Sequence, residues 1–118
     1  MTYQARIKVR HEGEAMVVEL LDEEILDEIT ISEIAESLFS ILEDKLPNRM
    51  VLSFDRVKHL SSMALGTLIR LNKRVEEHGG KLKLCEIRKS LYEIFEITKL
   101  NKLFDIYDSR DLAVSSFG

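Results

Sequence analysis

Cysteine occurs once in the 118 residues, at Cys85, and tryptophan not at all. A lone thiol forms no internal disulfide, so the fold must rest on its apolar core, and a reducing compartment is the expected setting. Cys85 closes an apolar run and reads as a small buried core residue. The three histidines, His11, His59 and His78, stand in separate stretches. Neither they nor the cysteine show metal-ligand spacing. The patterns H-x-x-x-H, C-x-x-C, G-x-S-x-G and the P-loop are missing. Carboxylates are plentiful, but no pair lies within an apolar stretch that would raise a pKa. The chain is therefore not expected to be an enzyme, and neither a metal nor another cofactor is expected. No stretch reaches the roughly 18 apolar residues of a membrane helix, and Met1 to Arg10 lacks the apolar region of a signal peptide. The expectation is a cytoplasmic protein with no membrane span.

What is present is ordinary for a globular domain: 45% hydrophobic and 32% charged residues, in a length that predicts one domain over 1–118 with a real core. The net charge of −4 argues against a nucleic-acid partner. The charge is uneven. Residues 1–48 hold 12 Asp/Glu against 4 Lys/Arg, and residues 49–118 hold 9 against 13. Such a division reads either as solvated helix faces or as a partner surface steered by charge.

Tyr3 to Arg10 alternates apolar and polar residues, the pattern of a strand with one wet face. His11-Glu12-Gly13-Glu14 predicts a turn, with Gly13 free to take a positive φ. Ala15 to Leu21 is a second strand, so the chain should open with a hairpin. After the acidic stretch Asp22–Glu28, Thr30 with Glu33 three residues on predicts a capping box. Ile31, Ile34, Ala35, Leu38, Ile41 and Leu42, extending to Leu46, form the stripe of a long helix that ends at Pro47-Asn48. Met50 to Phe54 is a short apolar run, as in an interior strand.

A loop, Asp55–His59, leads to a second helix capped by Ser61 or Ser62. Its apolar face is Leu65, Leu68, Ile69, Leu71 and Val75, and Gly79-Gly80 ends it. Lys81 to Cys85 alternates as a strand with one buried face. Lys89 to Thr98 predicts a third helix with Leu91, Ile94, Phe95 and Ile97 inward. Phe104 to Tyr107 is a last strand, and Asp108 or Ser109 caps a short helix, Arg110 to Val114. Ser115 to Gly118 is expected to fray. Strands alternating with helices make an α/β domain, and the hairpin makes its sheet mixed.

Ser61-Ser62-Met63-Ala64-Leu65-Gly66, set between a strand and a helix that ends in Gly79-Gly80 before another strand, resembles the D-S-[ST]-G-L-G-like turn of the sulfate-transporter and anti-sigma-factor-antagonist (STAS) domain. The resemblance extends over most of the chain. It implies an α/β fold with a mixed sheet of about five strands and about four helices mainly on one face. It matches Asp27, after Ile25-Leu26, to the family's acidic residue beside the phosphorylation turn; apart from the resemblance, Asp27 reads as a carboxylate favouring a nearby helix N-terminus. Ser53 stands where family members often carry Asp or Asn.

In the anti-sigma-factor antagonists the hydroxyl before the motif's Gly is phosphorylated by a kinase that is also the anti-sigma factor. Aligned on Leu65-Gly66, that hydroxyl falls on Met63, the Gly on Ala64 and the Asp on Ser61. Met63 cannot take phosphate. Either Ser62 is used instead, or the domain is a constitutive binder with Met63 as an exposed apolar anchor, Met being suited to adaptable contacts. Read without the resemblance, Met63 is a core residue under the helix start, and Ser61 and Ser62 only cap. The implied partner is an anti-sigma-factor-like serine kinase or another STAS protein in a bacterial regulatory circuit. The alternative is a STAS-like accessory domain that senses a small apolar or nucleotide ligand. The expected contact surface is Lys58, His59, Ser61, Ser62, Met63 and Thr67, bordered by Asp27.

Overall fold

The computed structural model describes residues 6–117. The chain opens with a hairpin, β1 (Ile7–Glu12) and β2 (Ala15–Leu20). Gly13 turns it at φ +62°, in the region that glycine enters without steric cost. His11 lies in β1 rather than in the turn, and the predicted start of this strand at Tyr3 lies outside the described residues. Next come β3 (Glu24–Ile25), α1 (Glu28–Lys45), β4 (Arg49–Ser53), β5 (His59–Leu60), α2 (Ser62–Glu77) and β6 (Lys81–Cys85). The chain finishes with α3 (Lys89–Ile97), a 3-10 turn (Leu100–Lys102), β7 (Asp105–Tyr107) and α4 (Arg110–Ser115).

The main sheet has the order β1-β2-β4-β6-β7, parallel except for β1. β4 is interior, as its apolar run predicted. Met50 and Leu52 point into the large core under α1, α2 and α3, while Val51 points to the opposite face. In the large core Phe54, Phe95 and Phe104 meet edge to face, with centroids 6.5 and 6.2 Å apart, the arrangement that ring quadrupoles favour. Three helices thus share one face.

The other face carries only α4, and there the strand reading needs correction. β6 is buried on both sides, because α4 covers what was taken for its wet face. Lys83 is only 6% exposed. Its Nζ donates to Ser116 Oγ at 2.7 Å and to Tyr107 Oη at 3.3 Å, under the rings of Phe117 and Tyr107. Ser116 and Phe117 therefore pack rather than fray. Beside them Ala15, Val17, Val51, Cys85 and Ala113 form a small second core.

Two apolar residues were misplaced. Ile69 is exposed on α2, and Ile97 is 80% exposed at the end of α3. Each lies at the edge of its stripe, where no neighbouring element covers it. Leu46, also exposed, ends α1 in the left-handed conformation at φ 45°. The α2–β6 turn explains the glycine pair. Gly79 has φ +81°, and a Cβ on Gly80 would lie 2.8 Å from the Pro47 carbonyl oxygen.

Candidate functional site

Two helix starts lie side by side at the ends of the parallel strands. The device that joins them is the short pair β3–β5, which sequence periodicity could not show, since two residues have no period. Glu24 pairs with His59 and Ile25 with Leu60. The Glu23 carbonyl accepts from the N–H groups of Lys58 (2.7 Å) and His59 (3.1 Å), and the Ile25 carbonyl accepts from Ser61 N–H at 3.1 Å. From this ribbon each chain passes straight into a helix. Buried Phe54 and Val57 pin the loop from below.

Asp27 caps α1: its Oδ2 accepts Thr30 N–H at 3.0 Å. Thr30 is therefore not the cap, and the predicted box does not form. The helix begins three residues earlier than a Thr30 cap would set it, Thr30 is buried in its first turn, and Glu33 instead accepts from Arg6 at 2.6 Å. The Thr30 N–H bond holds the Asp27 carboxyl below the usual carboxylate range. Ser61 caps α2, its Oγ accepting Ala64 N–H at 3.2 Å. α2 has no acidic residue in its first turn.

Ser62 follows the cap and is exposed. Met63, one residue on, is 53% exposed and so is not a core residue. Lys58 and His59 are exposed too, but each faces an acid of the β3 approach: Lys58 Nζ lies 3.5 Å from Glu23, and His59 Nδ1 lies 3.9 Å from Glu24. Thr67 does not join the surface. It is 4% exposed, one helical turn below Met63 on the side facing α1, and its hydroxyl donates to the Met63 carbonyl at 3.3 Å. It positions the helix start instead.

Leu26 and Ile29, which flank Asp27, were missed; they are 48% and 68% exposed. A signal was available for Ile29. At about 100° per residue it stands roughly 160° from Ile31 on the helix wheel, away from the buried stripe. At the end of β4, Ser53 is buried, and its hydroxyl donates to Glu86 Oε1 at 2.7 Å. Glu86 sits at φ 61°, an uncommon conformation for a residue with a side chain. A carboxylate thus reaches the end of β4 from the β6–α3 loop. Among the described residues no three His, Cys, Asp or Glu are grouped to hold a metal ion, and no helix is long and apolar enough to cross a membrane.

Two capped helix starts beside a mixed sheet whose helices lie mainly on one face are the arrangement expected of a STAS-type domain. The chain belongs to the STAS domain family, whose sequence model matches residues 6–113. It is 32% identical over 74 residues to BtrV of Bordetella bronchiseptica, a candidate anti-sigma factor antagonist; the match covers 63% of this chain and 64% of BtrV, under two thirds of that relative's length. It is 22% identical over 104 residues to the anti-sigma F factor antagonist of Paenibacillus polymyxa, covering 88% of this chain and 87% of that protein. Its fold matches the crystal structure of a candidate anti-sigma factor antagonist from Thermotoga maritima with a TM-score of 0.83 at 19% identity, over 98% and 97% of the two chains. Both sequence relatives are bacterial.

Proposed function

We propose that this domain is a protein-binding regulator of the anti-sigma-factor-antagonist kind, that its partner is an anti-sigma-factor-like serine kinase, and that it docks through the paired helix starts. In this reading Met63 is the apolar anchor, Leu26 and Ile29 extend it, and Asp27, Lys58, His59, Ser61 and Ser62 form the polar rim. Thr67 is left out of the contact and supports it from below. The observation that carries the proposal is the exposure of Met63 at the start of α2, where the family's phosphorylated hydroxyl would stand.

The same observation supports a reading of the regulation. A phosphate at a helix start is well accommodated by unpaired N–H groups, and its charge of roughly −2 would repel an acidic or apolar partner. Met63 offers no oxygen for that transfer. Ser61 spends its oxygen on the cap, which leaves Ser62 as the free hydroxyl next to Met63 in the chain, turned by about 100° from the usual direction. In-line phosphoryl transfer tolerates little displacement. The domain therefore binds without being switched off in the usual way.

The test is incubation with the host's anti-sigma-factor-like kinase and ATP, followed by intact-mass measurement. The wild-type protein should form a complex and stay unmodified or gain phosphate slowly at Ser62, whereas Met63→Ser should be modified and then released. Rapid stoichiometric modification of the wild type would refute the regulatory part. Binding to another STAS protein but not to the kinase would refute the choice of partner. The ligand-sensing alternative draws no support from the small apolar cavity beneath the helix starts. It measures about 20 Å³, against roughly 300–1,000 Å³ for a ligand pocket.

A further inference from the structure

Beyond Met63, the first half of α2 faces α1 across an open groove. Met63 and Arg70 line one wall, with buried Thr67 at its base; Glu28, Glu36 and Phe39 line the other. Arg70 is exposed. Its Nη2 donates a long bond, 3.4 Å, to Thr67 Oγ1, whose own hydroxyl donates to the Met63 carbonyl. This relay turns the guanidinium toward the start of the helix.

Among the described residues no carboxylate lies within 4.0 Å of Arg70, nor of Arg10 or Arg88, whereas Arg6, Arg49, Arg56, Arg74 and Arg110 each have at least one. By the same measure Glu28 and Glu36 face no cation. One turn further along, α2 does bridge to α1: Arg74 Nη1 reaches Glu43 Oε2 at 3.0 Å and lies over the Phe39 ring at 5.6 Å. An ion pair thus spans the two helices at the far end of the groove. At the Met63 end the groove is open, basic on one wall, acidic on the other and apolar between.

Building on the docking surface assigned above, we propose that the groove receives an amphipathic helix of the protein partner. Its apolar face rests on Met63 and Phe39, a carboxylate on one flank meets Arg70, and a cation on the other meets Glu28 and Glu36. Met63 to Arg70 is about two helical turns, roughly 10 Å, a length over which groove-bound helices place anchors at i, i+4 and i+7. Opposite charge on the two walls fixes which way round the helix lies, the role that charge plays more strongly than raw affinity. Arg70 is then a specificity-determining residue for the partner.

The experiment measures binding of the purified host kinase to the full chain by calorimetry at low and high salt. The set is wild type, Arg70→Glu, Glu36→Arg, the double reversal, and Lys102→Glu as a distant control, with folding checked by circular dichroism. Each single reversal should weaken binding about tenfold, and the control should not. The double reversal should stay weak, because the partner's charges have not moved. Recovery in the double variant would show that Arg70 and Glu36 serve each other and would overturn the proposal, as would single reversals that bind like wild type. A wild-type chain that fails to bind the kinase overturns the partner assignment itself, a result distinct from any difference among the variants.

Discussion

Ser61 and Ser62 are neighbours with one side chain type, and the structure gives them different work. Replacing Ser61 by Ala removes the oxygen that accepts Ala64 N–H at 3.2 Å. A lost Ser cap is worth about 1 kcal/mol. The first turn of α2 has no acid to share the task, so the full amount should appear. In a domain of this size the melting temperature should fall by roughly 3–6 °C. Replacing Ser62 by Ala removes an exposed hydroxyl just after the cap, and such changes stay within about 0.5 kcal/mol. Ser61→Asp keeps the acceptor and adds a charge at the positive helix end, a gain of roughly 0.3–1 kcal/mol. Urea denaturation of the three variants at constant m-value measures all of this. Equal losses for Ser61→Ala and Ser62→Ala would refute the cap assignment. They would also remove the reason for naming Ser62 as the free acceptor.

Other expectations test the scaffold. Gly80→Ala should destabilise by about 1–3 kcal/mol, because the new methyl meets the Pro47 and Asn48 backbone at 2.8 to 3.2 Å. Gly66→Ala in α2 meets nothing within 4 Å and should stabilise by about 0.5–1 kcal/mol; both are read by denaturant midpoint. Burial, and next Glu86, push the Cys85 thiol up to about 12. The unfolded chain ionises first, near 8.5, so stability is full below that pH and falls as pH rises toward 12. A Cys85→Ala variant should lose that alkaline slope, and native wild type should resist thiol reagents at neutral pH. Asp27 works in the opposite sense. Its depressed pKa supports α1 above the ordinary carboxylate range and is lost on acidification, so Asp27→Asn should show a flatter acid limb in a pH series of melting curves.

Long-period features were legible in the chain, and short or tertiary ones were not. The stripe Ile31, Ile34, Leu38, Ile41, Leu42 marked α1 and the run Met50–Phe54 marked the interior strand, because both patterns extend over several residues. The start of α1 was misjudged because Asp27 and Thr30 are both good caps, and only backbone geometry chooses between them. Lys83 was read as solvated because a lysine in an alternating strand normally is. Its burial depends on α4, which arrives more than twenty residues later. Of the expected surface, the turn and Asp27 came from the motif. Thr67 was misassigned because position along a helix does not say which side faces a neighbouring helix, and Leu26 and Ile29 were passed over as ordinary apolar residues.

The β3–β5 ribbon has a kinetic consequence. Its cross-strand links at Lys58, His59 and Ser61 sit outside the five-stranded sheet, so they can break while the core stays intact. Amides of this kind open locally at small free energy, whereas those of an interior strand need near-global unfolding. Native-state hydrogen exchange should therefore show Lys58, His59 and Ser61 losing protection well before Val51 and Leu52. A partner that grips both helix starts must hold the ribbon shut to remain bound. Its arrival should slow exchange at these three amides while leaving the sheet unchanged, which makes them a reporter of occupancy that requires no label on either protein.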